Sequence, residues 1–122
     1  MVKKILIIDE NEGDKILIRE LLLAKNIECK FVFASSGEEG IEKARQEKPD
    51  AVLIDTGLKE MSGFETCRRI KEMPDIIAKL IIMTGIVDAV DAGKARRSGA
   101  DDFCVKTSDC ESIIQAVKNF LN

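Results

Sequence analysis

The chain has 122 residues, of which 45% are hydrophobic and 34% charged, and its formal net charge is −3. This is the size of one compact domain, expected over residues 1–122, and the composition excludes a disordered tail and a membrane-spanning protein. The acidic balance argues against direct binding to nucleic acid. The chain contains no histidine, which excludes Ser-His-Asp and Cys-His catalysis and histidine metal sites within it.

The amino-terminal segment and the cysteines indicate a cytoplasmic protein without membrane association. Only four apolar residues, Ile5 to Ile8, precede Asp9, whereas a secretory signal needs a core of about 7 to 15. The four cysteines form no C-x-x-C pair, so we expect reduced thiols rather than a zinc site or a redox motif. They are Cys29, Cys67, Cys104 and Cys110.

Short continuous apolar runs alternate with longer amphipathic stretches along the chain. The apolar runs predict five strands, of which the second and the fifth have the weaker patterns. In chain order they are Lys4–Ile8, Lys30–Ala34, Ala51–Ile54, Leu80–Met83 and Phe103–Val105.

Helical patterns follow the strands. Apolar residues recur at helical spacing from Lys15 to Lys25, and the segment Val87 to Arg97 predicts a weaker helix because Gly93 costs about 1 kcal/mol relative to alanine. Three helices begin with a capping box, in which a serine precedes a glutamate by three residues. These pairs are Ser36 with Glu39, Ser62 with Glu65, and Ser108 with Glu111. Five strand-helix units predict an α/β fold, a (βα)5 open parallel sheet with helices on both faces.

A polar side chain follows each predicted strand. These residues are Asp9 with Glu10, Ser35, Asp55, Thr84 and Lys106. The carboxyl ends of parallel strands share one edge, where ligands bind at the point of winding reversal. If the first strand lies beside the third, Asp9, Glu10 and Asp55 converge, and two such charges about 4 Å apart repel by about 4 kcal/mol at an effective dielectric of 20. Mg²⁺ with oxygen ligands, together with Lys106, fits this cluster, although single polar residues after strands also make caps and turns.

Four motifs in this order resemble the receiver domain of bacterial two-component response regulators, over essentially the whole chain. They are Ile-Ile-Asp9-Glu10, Leu-Ile-Asp55-Thr-Gly-Leu-Lys-Glu-Met-Ser-Gly63, Ile-Met-Thr84-Gly85 and Gly99-Ala-Asp-Asp-Phe103-Cys-Val-Lys106. Each motif alone is weak, but the ordered set is specific. The resemblance implies a flavodoxin-like, doubly wound parallel sheet with strand order 2-1-3-4-5.

The resemblance also implies a function as a phosphoacceptor in a phosphorelay. Asp55 would accept a phosphoryl group from a phosphohistidine on a sensor histidine kinase or a histidine phosphotransfer protein. The chain would then assist only its own phosphorylation and dephosphorylation, without being an enzyme in the wider sense. The implied Mg²⁺ ligands are Asp9 through water, Glu10, Asp55 and the backbone carbonyl of Gly57. Lys106 and Thr84 would bind the remaining phosphoryl oxygens.

An output surface follows from the same resemblance. The charge added at Asp55 would draw Thr84 inward and let the ring of Phe103 turn in. The face formed by Val87 to Arg97, the fifth strand and the last helix would change, and we expect a separate downstream effector protein to bind it.

Three positions depart from the family pattern. Glu10 stands where a second aspartate is usual, and Lys59 stands where a proline is usual. Thr107 replaces a proline, commonly cis, after Lys106. Because a cis bond without proline costs about 2.5 to 4 kcal/mol, we expect a trans bond before Thr107 and a displaced lysine.

Other functions stay open on the sequence alone. The departures are compatible with an atypical receiver that binds partners without phosphorylation. A flavin-binding protein of the same architecture needs a phosphate-cradling loop after the first strand, whereas residues Asp9 to Asp14 are largely acidic. A phosphatase with an aspartate nucleophile needs D-x-D, which Asp9-Glu-Asn lacks.

Two arginine pairs raise the question of a nucleic-acid surface. They are Arg68-Arg69 and Arg96-Arg97. We interpret both as solvated helix surface, because the net charge is negative and the chain has no tyrosine or tryptophan for base stacking.

Overall fold

The computed structural model describes residues 2–85 and 89–121, with the side chains of residues 89 and 90 excepted. Strands and helices alternate along this part of the chain. In order they are β1 (Lys3–Ile8), α1 (Glu12–Ala24), β2 (Cys29–Ala34), α2 (Gly37–Glu47), β3 (Ala51–Asp55), α3 (Gly63–Lys71), β4 (Lys79–Thr84), α4 (Ala89–Arg97), β5 (Asp102–Val105) and α5 (Glu111–Leu121). No helix among these is long and apolar enough to cross a membrane.

All five predicted strands are confirmed, each extended by one or two residues. They form one parallel sheet in the order β2-β1-β3-β4-β5, which confirms the α/β, doubly wound arrangement. Ile8 at the end of β1 pairs with Ile54 near the end of β3. The residues that follow these strands therefore emerge side by side at the carboxyl edge of the sheet.

The central parts of β1, β3 and β4 are apolar because the sheet is covered on both faces. Alternate residues of β1 point to opposite sides, so that Ile5 and Ile7 pack in one core while Leu6 and Ile8 pack in the other. The first core is completed by α1 and α5, and the second by α2, α3 and α4. All four of these β1 side chains are fully buried, and each stabilises the fold by about 1.5–3 kcal/mol.

Two of the three predicted capping boxes supply helix N-caps. Ser36 Oγ accepts a hydrogen bond from the backbone N–H of Glu39 at 3.1 Å, and Ser62 Oγ accepts one from Glu65 at the same distance. Each serine satisfies a backbone donor that the first helical turn leaves unpaired.

The prediction of a cap at Ser108 is wrong. The backbone N–H of Glu111 donates to Asp109 Oδ1 at 3.1 Å. Cys110 adopts a φ of 52° and interrupts the turn that a cap at Ser108 would begin. Helix α5 therefore begins only at Glu111.

Helix α1 begins three residues before its predicted start at Lys15. Asn11 is the N-cap, and its side-chain oxygen accepts a hydrogen bond from the backbone N–H of Asp14 at 2.9 Å. The first turn of α1 is thus polar and lies outside the apolar pattern. The weaker helix is present as α4, and its predicted start at Val87 lies outside the described residues.

The four cysteines are free thiols, as the sequence predicts, and three of them are buried. Burial raises the pKa of Cys104 to about 12. A thiol in this environment stays protonated at neutral pH and is a poor nucleophile.

Arg68 and Arg69 lie on the exposed surface of α3, as the sequence interpretation expects. Arg69 pairs with Glu65 at 2.9 Å, and Arg68 contacts the same carboxylate. Hydrogen bonds from Arg68 and Arg69 lower the pKa of Glu65 to about 2. The charges of these arginines are therefore engaged within the helix.

Gly63 allows α3 to begin directly against the end of β3. A Cβ atom at Gly63 would lie 2.2 Å from the backbone oxygen of Asp55, far inside van der Waals contact. Gly85 differs, since a Cβ there would meet nothing within 4 Å. The close approach at Gly63 fixes the backbone of Asp55 relative to α3.

We predict that Gly63→Ala lowers the free energy of unfolding by about 1–3 kcal/mol, because the methyl group forces the start of α3 away from β3. Urea unfolding at neutral pH measures the difference. Gly85→Ala is the matched control, with an expected change below about 0.5 kcal/mol. Equal stability of Gly63→Ala and the parent protein would contradict the tight packing at this position.

Candidate functional site

The carboxyl edge of the sheet collects polar side chains from four strands. Asp9 follows β1, Asp55 ends β3, Thr84 ends β4 and Lys106 follows β5. The strand order places β1 and β3 next to each other. Of the three carboxylates that the sequence predicts to converge, Asp9 and Asp55 both contact Lys106. Glu10 contacts the loop after β3 instead, so the prediction is met in part.

Lys106 lies at the centre of this group. Its Nζ is 2.8 Å from Asp55 Oδ1, 3.0 Å from Asp14 Oδ2, and also bonded to Asp9 Oδ2. The side chain of Asp9 is only 2% exposed, and that of Lys106 is 17% exposed. The ammonium group thus compensates the charges of Asp9 and Asp55, whose carboxylates have little access to water.

The residue after Lys106 does not displace the lysine. The described residues contain no cis peptide bond, so the expected trans bond before Thr107 is confirmed. Lys106 nevertheless reaches Asp55, and the expectation of a displaced lysine is wrong. The backbone N–H of Lys106 donates to the carbonyl of Thr84 at 2.7 Å, which anchors the lysine backbone at the end of β4.

Burial and ion pairing oppose each other at these groups. Burial raises the pKa of Asp9 above its ordinary value, and the hydrogen bond from Lys106 offsets part of this rise. For Lys106, burial lowers the pKa, but hydrogen bonds to Asp55, Asp9 and Asp14 outweigh burial and raise the pKa above its ordinary value. Lys106 is therefore charged across the physiological pH range.

Both oxygens of the Asp55 carboxylate are held. Oδ1 faces Lys106, and Oδ2 accepts a hydrogen bond from the backbone N–H of Gly57 at 2.9 Å. The adjacent hydroxyl of Thr56 donates to the hydroxyl of Thr84 at 3.3 Å. The carboxylate is thus oriented at the sheet edge and keeps 15% of its side-chain surface exposed. An oriented, partly accessible carboxylate is suited to act as a nucleophile.

Glu10 is engaged differently from Asp9 and Asp55. Its Oε1 accepts a hydrogen bond from the backbone N–H of Lys59, in the loop that follows β3. Within residues 2–85 and 89–121, no group of three or more His, Cys, Asp or Glu side chains is arranged to hold a metal ion. The reason is that Lys106 occupies the centre of the carboxylates while Glu10 contacts the loop.

Sequence reasoning missed two charged residues of the first turn of α1. Asp14 contacts Lys106. Lys15 is 1% exposed. Its Nζ donates a hydrogen bond to Ser35 Oγ at 2.6 Å and forms an ion pair with Glu12 Oε1 at 2.7 Å. The spacing of Asn11 and Asp14, a polar N-cap residue with an acid three residues later, could have predicted that α1 begins at this point and that Asp14 lies in its first turn.

Residues 5–118 match the family model described as the response regulator receiver domain. The chain is 29% identical over 120 residues to the response regulator protein VraR of Staphylococcus saprophyticus, covering 98% of this chain and 56% of VraR. It is 28% identical over 122 residues to the chemotaxis protein CheY of Bacillus subtilis, covering the whole of both chains.

Solved structures share the same fold. Chemotaxis protein CheY4 of Vibrio cholerae superimposes with a TM-score of 0.89 at 18% identity, covering 99% of this chain and 100% of CheY4. Response regulator DrrB of Thermotoga maritima superimposes with a TM-score of 0.86 at 28% identity, covering 99% of this chain and 53% of DrrB. The chain thus spans about half the length of VraR and DrrB and the full length of the CheY proteins.

We predict that Lys106→Met destabilises the fold at neutral pH by about 2 kcal/mol, less than the 3–5 kcal/mol typical of a fully buried pair, because water has some access here. Loss of the ammonium raises the pKa of buried Asp9 further above its ordinary 3.8. An acid with a raised pKa in the folded state favours folding when protonated. The loss of stability in Lys106→Met relative to the parent protein therefore grows as the pH rises from about 4 through the raised pKa of Asp9. The loss becomes smaller at acid pH, where Asp9 is protonated.

Urea unfolding of the parent protein and of Lys106→Met at several pH values between 4 and 8 measures this deficit. The double variant Asp9→Asn with Lys106→Met is the control, because it removes the uncompensated carboxylate and should recover much of the lost stability. A deficit that is independent of pH and persists in the double variant would show that packing, and not charge, is what Lys106 supplies.

Proposed function

The chain belongs to the family of response regulator receiver domains, and on this basis we propose that it is a single receiver domain in which Asp55 is phosphorylated during two-component signalling. The observation that supports this most directly is the 2.8 Å contact between Lys106 Nζ and Asp55 Oδ1 at the carboxyl edge of the sheet. It pairs a partly accessible strand-end carboxylate with a permanent cation.

The chemistry is transfer of a phosphoryl group from a phosphohistidine to a carboxylate. An oxygen of Asp55 attacks phosphorus in line, the new O–P bond forms as the N–P bond breaks, and the imidazole nitrogen keeps the bonding electrons and takes up a proton. Catalysis of such a step is mostly positioning and charge stabilisation. The N–H of Gly57 and the ammonium of Lys106 orient the nucleophile. Lys106 then stabilises the negative charge of the phosphoryl group.

The donor chemistry of the site fits Mg²⁺. Asp9, Glu10, Asp14 and Asp55 with the ammonium of Lys106 have a formal charge of −3, most of which a divalent cation offsets. Every side-chain donor is an oxygen, which favours Mg²⁺ over zinc. We assign the ligands to Asp9 through water, Glu10, Asp55 and the carbonyl of Gly57. When bound, the ion neutralises charge on the transferring phosphoryl oxygens.

In the described conformation Glu10 Oε1 accepts the backbone N–H of Lys59, so Glu10 would hold the ion through its second carboxylate oxygen. Glutamate is one methylene longer than the aspartate usual in the family, which accounts for its reach to this loop. The contact with Lys59 therefore links the proposed ion site to the loop after β3.

The phosphodonor is a sensor histidine kinase or a histidine phosphotransfer protein, which supplies the histidine that this chain lacks. A separate effector protein receives the output, and all three act in the cytoplasm. Thr84, which is 3% exposed, lies where it can follow a phosphoryl oxygen, and Phe103 borders a cavity of about 270 Å³ with Ala92 and Ala95 of α4. This cavity gives the ring of Phe103 room to move.

We predict that incubation with Mg²⁺ and a small-molecule phosphodonor adds one phosphoryl group to the protein, measured by intact mass. Asp55→Asn should show no addition, because an amide is a poor nucleophile for this transfer. Asp75→Asn, an exposed aspartate after α3, is the matched control and should be phosphorylated like the parent protein. Chelation of divalent ions should stop the reaction.

Addition of the phosphoryl group to Asp55→Asn would place the modification elsewhere. A parent protein that stays unmodified with several donors and with a histidine phosphotransfer partner would instead favour a receiver-like module that binds partners without phosphorylation.

A further inference from the structure

Three carboxylates surround the ammonium group of Lys106 in this structure. A lysine ammonium has three donors, and three carboxylates contact it, from Asp9, Asp14 and Asp55. A phosphoryl group on Asp55 brings new acceptor oxygens to this place. For Lys106 to bind one of them, an existing contact has to break.

The three contacts differ in how easily they break. Asp9 is 2% exposed, and its other oxygen accepts the backbone N–H of Asn11 at 3.0 Å. Asp55 is 15% exposed and is the nucleophile itself. The side chain of Asp14 is 42% exposed. Water can therefore solvate the Asp14 carboxylate when it leaves Lys106, whereas Asp9 would lose its partner inside the protein.

The surroundings of Asp14 also permit this movement. Asp14 and Lys106 together border a cavity of about 240 Å³ whose wall includes Leu17, Ile18 and Cys110. The Asp14 side chain therefore adjoins open space on the side of Lys106. Asp14 lies on the first turn of α1 and is not among the ligands assigned to Mg²⁺.

We propose that Asp14 competes with the phosphoryl group for Lys106. It holds one N–H of the ammonium in the unphosphorylated protein and yields this donor to a phosphoryl oxygen when Asp55 is phosphorylated. Asp14 is thus a positioning residue that acts through Lys106 and opposes phosphorylation. The inference rests on the proposed phosphorylation of Asp55.

Asp14→Asn tests the competition, and Glu12→Gln is its matched control. Glu12 lies on the same turn, and its replacement changes the net charge equally. Its carboxylate, however, pairs with Lys15 and accepts from Ser35. Both variants lose one acid from the first turn of α1, so any effect on the helix itself is shared between them.

The first measurement is the rate constant of phosphorylation by acetyl phosphate at saturating Mg²⁺. We expect Asp14→Asn to react about three- to fivefold faster than the parent protein, the upper part of the range expected for removal of a partly exposed ion pair. Glu12→Gln should stay within about twofold. An unchanged or slower rate in Asp14→Asn would overturn the inference, since Asp14 would then orient Lys106 for the reaction. An equal rise in both variants would also overturn it, since net charge alone would account for the effect.

The second measurement needs no phosphorylation and therefore separates this inference from the proposed function. Acetylation of Lys106 by an amine-reactive reagent, mapped by mass spectrometry without Mg²⁺ or phosphodonor, should be about three- to fivefold faster in Asp14→Asn than in the parent protein and Glu12→Gln. An unchanged acetylation rate would show that the contact with Asp14 does not limit the reactivity of Lys106, and it would overturn the inference. If acetylation is faster in Asp14→Asn but the parent protein is never phosphorylated, the proposed phosphorylation of Asp55 is wrong. The result would still support an ion pair with Asp14 that restrains Lys106.

Discussion

The site depends on one electrostatic constraint, the placement of a single ammonium group among carboxylates at the end of a parallel sheet. Asp9 is almost completely buried, and burial disfavours its ionised form. The ammonium of Lys106 makes an ionised Asp9 tolerable and simultaneously orients Asp55. Because the lysine comes from β5 and the acids from β1, β3 and α1, the same contacts tie together elements from across the fold.

This arrangement leaves the site more acidic than its one cation can neutralise. The residual negative charge creates affinity for a divalent cation and opposes the approach of an anionic phosphoryl group until that cation is present. Charge balance therefore makes the proposed reaction conditional on the ion. The contact between Glu10 and the backbone of Lys59 engages one oxygen of the longer acid with the loop in the described conformation.

Local patterns predicted the fold well where a single physical cause dominated. Continuous apolar runs indicated strands because both faces of this sheet are covered, and Ser36 and Ser62 indicated helix starts because a serine oxygen satisfies a free backbone donor. The same signal was misleading at Ser108, where Cys110 takes a left-handed backbone conformation and Asp109 provides the acceptor. Asp109 is itself a common capping residue, and only in this third case does a residue with a side-chain acceptor directly follow the serine.

The sequence by itself determined the alternation of strands and helices and the presence of polar residues after each strand, since both follow from short-range periodicity. The family resemblance added the strand order and the choice of Asp55. Only the tertiary structure decided which charges meet, because Lys106 and Asp9 are 97 positions apart in the chain. The pairing of Asp14 with Lys106 and the turn of Glu10 toward Lys59 depend on side-chain reach across packed elements, a property that no local pattern encodes.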